Sequence, residues 1–194
     1  MKKIIIATKN QGKAKEFKEL YLKKGMEALS LLDIVQELPD VEETGVTFEE
    51  NAALKAETIA ELLQIPVLAD DSGLVIDALD GRPGVYSARY AGEDKDDKAN
   101  IKKVLEELID VPEGKRTARF VCVLAIARPG EKTDFYKGTC EGSIAFEERG
   151  SNGFGYDPIF IPENETRTMA ELSSEEKNSI SHRSNAISKL QGRV

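Results

Sequence analysis

The chain has 194 residues, 40% hydrophobic and 32% charged, with a net charge of −8. A chain of this length buries roughly 70% of its unfolded surface, enough for a core that needs no cross-links. The acidic balance argues against a duplex-DNA or RNA binder, whose phosphate contacts require a basic face. It leaves room for a small phosphate ligand held by a few local cations. No apolar run approaches the roughly 20 residues of a membrane helix. The opening run Met1–Ile6 breaks at Thr8-Lys9-Asn10, too early for a signal peptide. Cys122 and Cys140 are the only cysteines and have no CxxC or zinc-ligand spacing. They read as buried free thiols of a reducing, cytoplasmic compartment.

In chain order, residues 3–8 read as a buried strand. Residues 11–24 read as a helix with Ala14, Phe17 and Tyr21 on one stripe and Asn10 as its N-cap. Residues 31–35 read as a short strand. The clearest helix is 47–64, where Thr47 and Glu50 suit a capping box and Phe48, Ala52, Ala56, Ile59 and Leu63 fall at helical spacing. Pro66 opens the strand 67–69, apolar on both faces and so a central one. A further strand fits 73–79, and Gly81-Arg82-Pro83-Gly84 is turn chemistry. Residues 95–109 form an amphipathic helix with Ile101, Val104, Leu105 and Leu108 inward. Strand signals follow at 117–128, 133–146 and 160–161, with Pro129-Gly130 as a hairpin turn. A last helix starts near Ser173, capped with Glu176. The pattern predicts an α/β protein with a mixed sheet flanked by helices and a long antiparallel portion in the second half.

Five constellations could carry chemistry. Thr8-Lys9-Asn10-Gln11-Gly12-Lys13 joins a strand to a helix start. There, unpaired N–H groups and the positive dipole end favour a phosphate, and Gly12 and Lys13 add access and charge. The same residues also make an ordinary surface turn, and the spacing is not that of a Walker A loop. Asp70-Asp71 follow an apolar strand. Neighbouring side chains in extended chain point to opposite faces, so one acid faces a cleft and the other braces the loop. A carboxylate there can bind Mg²⁺ or accept a proton from water, or simply serve an acidic turn. Asp40, Glu42 and Glu43 could donate a second carboxylate to that metal. Gly153-Phe154-Gly155-Tyr156-Asp157-Pro158 could stack a base or tuck its aromatics into the core. Lys177, with Ser181-His182-Arg183, offers donors suited to a purine carbonyl or a phosphate, and equally suits a solvated helical face.

The order and spacing of these blocks carry more than any one of them. Thr8-x-Asn10-x-x-Lys13-x-x-Glu16, Thr47-Phe48-x-Glu50-Asn51-Ala52 and Ala69-Asp70-Asp71-Ser72-Gly73-Leu74 resemble the inosine triphosphate pyrophosphatase family in its bacterial form. So do Gly81-x-Pro83-Gly84-Val85-Tyr86-Ser87-Ala88-Arg89-Tyr90, Gly153-Phe154-Gly155-Tyr156-Asp157-Pro158 and Glu175-Glu176-Lys177-x-x-Ile180-Ser181-His182-Arg183. The resemblance covers nearly the whole chain and implies one domain over 1–194. It implies an elongated α/β fold with a long mixed sheet and a cleft between two lobes. The implied activity is hydrolysis of ITP, dITP and XTP to the monophosphate and pyrophosphate, with Mg²⁺, in a homodimer.

By that resemblance Thr8, Lys9, Asn10, Gln11, Gly12 and Lys13 would bind the triphosphate. Asp71 would be general base and metal ligand, and Ser72 would touch the substrate. Phe154, Gly155, Tyr156, Asp157, Lys177, His182 and Arg183 would enclose and read the base. Glu42, ahead of Asp40, would be the second metal carboxylate, and Arg89 a further phosphate contact. Two other readings stay open on the sequence: a pyrophosphatase for modified pyrimidine triphosphates and a non-catalytic nucleotide sensor.

Overall fold

The computed structural model describes residues 2–34 and 38–190. Six strands form one sheet in the order β2-β1-β3-β4-β5-β6. They are β1 (Lys2–Ile6), β2 (Met26–Ser30), β3 (Val67–Ile76), β4 (Thr117–Ala127), β5 (Asp134–Ile144) and β6 (Phe160–Pro162). The helices are α1 (Gln11–Leu22), α2 (Phe48–Leu63), α3 (Asp97–Glu107), α4 (Ser174–Ile180) and α5 (His182–Ser188). The sheet is mixed, as the sequence predicts: β1 runs parallel to both β2 and β3, and β6 runs antiparallel to β5.

The chain folds into two compact units. The first comprises Met1–Asp71, Cys122–Gly138 and Ala186–Val194; the second comprises Ser72–Val121 and Thr139–Asn185. Each has its own core. In the first, Phe17, Leu20 and Tyr21 of α1 pack with Ile4 and Ile6 of β1, Leu68 of β3, Leu124 of β4 and Ile187 of α5. In the second, Ile101, Val104 and Leu108 pack with Leu74 and Ile76 of β3, Phe120 of β4, Ile144 of β5 and Phe160 of β6. The inward stripe expected of α3 is therefore the observed one, with Leu105 packed at its margin.

Local chemistry sets the helix ends. The Asn10 side chain accepts from the Lys13 N–H at 2.9 Å, starting α1. Thr47 accepts from the Glu50 N–H at 3.1 Å, but the Glu50 carboxylate returns to the Val46 N–H at 2.7 Å, one residue before the box position. The Ser173–Glu176 box is complete on both sides.

Three expected elements are corrected. Of the strand expected over 31–35, the described residues 31–34 are not extended sheet. The strand is Met26–Ser30, and Leu31–Asp33 turns as a 3₁₀ helix because the Asp33 carboxylate accepts from both the Ser30 N–H and hydroxyl at 2.8 Å. Val35 lies outside the described residues. The separate strands at 67–69 and 73–79 are one strand, β3, which runs extended through Asp70, Asp71 and Ser72 and ends at Ile76. The last helix is two short ones: Ser181 adopts an extended conformation (ψ 153°) after α4, and His182 opens α5. Among the described residues, no helix is long and apolar enough to cross a membrane. Cys122 and Cys140 are free and buried.

Candidate active site

In the first unit, charged side chains converge on the middle of β3. Extended backbone sends Asp70 and Asp71 to opposite faces. Each face meets a lysine from a different helix. Lys13, in the first turns of α1, lies 2.9 Å from Asp70, which is 1% exposed. Lys55, in the middle of α2, lies 3.6 Å from Asp71 and 2.5 Å from Glu43. Two carboxylates thus share one ammonium, and Asp71 is buried. Burial pushes the Asp71 carboxyl above its ordinary range. Lys55 and Lys13 oppose that push, and the negative charges of Glu43 and Asp70 add to it. Burial works against the Lys55 ammonium, but Asp71, Asp70 and Glu43 outweigh it and hold its pKa above that of an ordinary lysine.

The loop that carries Glu43 is tied to α2. The Asn51 side chain accepts from the Gly45 N–H at 2.8 Å, Glu50 accepts from Val46, and Lys55 holds Glu43. A Cβ on Gly45 would come within 2.7 Å of the Asn51 Oδ1, so the close approach needs glycine here. Of the three acids read from sequence as a possible second carboxylate, Glu43 is the one placed beside Asp71. Glu42 is exposed, and Asp40 pairs with Lys9 at 2.6 Å. Lys9 therefore points its ammonium at the acidic loop and Leu38, while Lys13 reaches β3. Thr8 is buried, and its hydroxyl accepts from the Asn10 N–H. Gln11 and Gly12 occupy the first turn of α1.

In the second unit, a different chemistry gathers around Phe154. The Lys177 ammonium lies 5.0 Å and the Arg183 guanidinium 5.4 Å from its ring centroid. Lys177 donates to Asp157 at 2.5 Å, and both are buried. The same Asp157 oxygen accepts from the Phe154 N–H at 3.0 Å. Arg183 donates to the Ser72 hydroxyl at 2.8 Å. His182 stacks on Phe120 with ring centroids 4.9 Å apart.

The two aromatics of the glycine-rich turn divide the roles left open by the sequence. Tyr156 is a core residue whose hydroxyl donates to the Ser87 carbonyl at 2.7 Å, while Phe154 stays half-buried with two cations over it. Gly153 has φ +75°, and a Cβ there would meet the Asp157 Oδ2 at 2.0 Å, so the turn requires glycine. Arg89 lies apart from this cluster in sequence, with its guanidinium 5.3 Å from the Tyr86 ring.

Sequence reasoning did not single out Lys55. It sits four residues after Asn51 on the inner side of α2, and a polar residue interrupting a buried stripe is the signal that could have found it. Asp97, whose carboxylate accepts from the Gly155 N–H at 2.7 Å, was missed as well.

In this α/β protein, a buried carboxylate beside a lysine on a sheet strand of the first unit suits chemistry on a phosphorylated ligand, and the aromatic turn of the second unit, under two cations, by itself suits a flat group. Comparison with known proteins narrows the class. The family model "Ham1 family" matches residues 4–193, and the chain belongs to that family. A dITP/XTP pyrophosphatase of Oceanobacillus iheyensis is 64% identical, over 98% of this chain and 97% of that protein. One from Geobacillus kaustophilus is 60% identical, over 98% and 93%. The structure of the Staphylococcus aureus Ham1 protein matches with TM-score 0.84 at 50% identity, covering 98% of this chain and 96% of that one.

Proposed function

We propose that the chain hydrolyses deaminated purine nucleoside triphosphates (dITP, XTP and ITP) to the monophosphate and pyrophosphate. Relatives that share 60% or more of its residues over nearly the full length carry the name dITP/XTP pyrophosphatase. The observation that carries the reading is Asp71: a buried carboxylate on a central strand, whose proton affinity burial raises and whose charge Lys55, 3.6 Å away, partly offsets. Such a group is a better proton acceptor than an ordinary carboxylate. Water attacks the α-phosphorus, its proton passes to Asp71, and the bond to the β-phosphate oxygen breaks as pyrophosphate leaves with the electron pair. Lys13 and Lys55 offset the charge of the phosphates.

Mg²⁺ belongs to the same proposal. Among the described residues, no group of three or more His, Cys, Asp or Glu side chains is placed to hold a metal. Mg²⁺ usually takes one or two carboxylates and completes its shell with substrate phosphates and water. Asp71 and Glu43, two hard oxygen donors sharing Lys55, fit that pattern, and the proposal puts Glu43 in the place expected of Glu42. When bound, the ion would offset triphosphate charge. In the second unit, Phe154 offers a ring face for the base, and Lys177, His182 and Arg183 offer donors for a 6-oxo group that adenine lacks. A homodimer and a cytoplasmic location complete the proposal.

The test is pyrophosphate release from dITP, XTP, ITP, GTP and ATP, with and without Mg²⁺. Fast Mg²⁺-dependent release from the first three, with little from GTP and ATP, is expected. ITP binding without release from any of them would overturn the enzyme reading in favour of a sensor. Release from modified pyrimidine triphosphates alone would overturn the choice of base.

A further inference from the structure

We infer that Asp97 is a positioning residue for the base-reading turn, and so for substrate affinity. An aspartate in the first turn of a helix ordinarily needs no other explanation, since it meets the positive end of the dipole. Here the neighbouring Asp96 does the capping: its side chain accepts from the Lys98 and Ala99 N–H groups. Asp97 is left to reach a residue 58 positions away, and its Oδ2 accepts from the Gly155 N–H at 2.7 Å. That length is typical of a charge-assisted bond.

The target is a glycine-rich turn whose internal ties run through Asp157. Gly153 and Gly155 have φ of +75° and +60°, and glycine gives up more backbone freedom on ordering than any other residue. Two consecutive N–H groups are tied by two carboxylates from different places. Asp157, buried with Lys177, holds Phe154, and Asp97, exposed at the start of α3, holds Gly155. Phe154 hangs between these two ties, with its ring under Lys177 and Arg183. Loss of the outer tie would leave the Asp157–Lys177 pair intact and free the turn to swing its ring. Binding would then carry the cost of ordering it.

The inference rests on the reading that Phe154 contacts the base, and the experiment separates the two. Amide exchange of Gly155, followed by NMR, is measured in the wild type, Asp97→Ala and Asp97→Asn, alongside KM and kcat for ITP. In Asp97→Ala, Gly155 protection is expected to fall and KM to rise about fivefold, the scale of one exposed charge-assisted bond. The kcat should stay within about twofold, since Asp71 and Lys55 are untouched. Asp97→Asn keeps an oxygen acceptor and is expected to restore most of both. Unchanged Gly155 protection in Asp97→Ala, an unchanged KM, or a loss confined to kcat would each overturn the assignment. If the wild type releases no pyrophosphate, the proposed function fails on its own. The calorimetric Kd for ITP then replaces KM, with a fivefold weakening supporting the role of Asp97 and an unchanged Kd refuting it.

Discussion

Lys177 and Asp157 should be far more costly to separate than to remove together. The ammonium lies 2.5 Å from the carboxylate, and the side chains are 7% and 4% exposed. Neither charge has much water to fall back on. Removing one partner of such a pair leaves a buried charge uncompensated, at a cost of roughly 3–5 kcal/mol. For a chain of this length each kcal/mol moves the midpoint by about 2–4 °C. Lys177→Met is therefore expected to lower Tm by about 10 °C. Asp157→Asn keeps an oxygen for the Phe154 N–H but strands the ammonium, so a similar loss is expected. The double variant carries no buried charge and should recover most of the difference. Differential scanning calorimetry on the four proteins gives the coupling energy directly. A Tm for Lys177→Met within about 2 °C of wild type, or two single losses that simply add, would refute the reasoning. The recovered double variant should still bind ITP weakly, because no ammonium stands over Phe154.

Two further outcomes concern β3. In Lys55→Met, the attraction that most opposes the rise in Asp71 proton affinity is gone, worth about 4 kcal/mol at this distance for an effective dielectric near 20. Asp71 must be ionised to act as a base, so activity is lost as pH falls through its folded pKa. The acid limb of kcat should therefore move to higher pH, with a rate loss at least about tenfold greater at pH 6 than at pH 9. A limb that stays in place would show that Lys55 does not tune Asp71. In Asp71→Asn, most of kcat should vanish while Tm at pH 8 rises above wild type. Because burial raises the folded carboxyl pKa, its stabilising contribution is present below the unfolded value and lost as pH rises through the folded one. The gap in Tm should widen from pH 4 to pH 8, and a variant less stable than wild type at pH 8 would reverse that sign.

Much of this was legible before the structure, where local signals agree with each other. Asn10, Thr47 and Ser173 start their helices because a side-chain oxygen and a following N–H suffice, and both are written in adjacent residues. The inward face of α3 follows from spacing alone. The second strand was misplaced because Leu31-Leu32 reads as more apolar than Met26–Ser30, and only parallel pairing of β2 with β1 decides between them. β3 looked broken because Asp70-Asp71-Ser72 is polar. It is continuous because Lys13 and Lys55, from two helices, receive the charges on either face. That Glu43 rather than Glu42 pairs with Lys55 could not be read from the chain, since adjacent residues of an extended loop differ only in which way they point. That direction is set by Lys55, twelve positions on. Asp97 lay 58 residues from the group it holds, beyond the reach of any spacing pattern.

The charges around β3 also determine what can enter. Lys13 and Lys55 contribute +2, and Glu43, Asp70 and Asp71 contribute −3 when ionised, a sum of −1. A bare triphosphate carries about four negative charges and would meet net repulsion from this cluster, strengthened by burial of the two aspartates. A divalent cation changes the sum to +1, so the ion should govern whether the triphosphate binds as well as whether it reacts. Calorimetric titration with ITP in chelator is therefore expected to show a loss of affinity of tenfold or more, on the order of 1.4 kcal/mol, relative to Mg²⁺. Glu43→Gln should narrow that difference, because it removes one of the repelling charges along with a ligand. Equal ITP affinity with and without the ion would mean that the lysines and backbone N–H groups alone hold the phosphates, and that Asp71 and Glu43 serve only the chemical step.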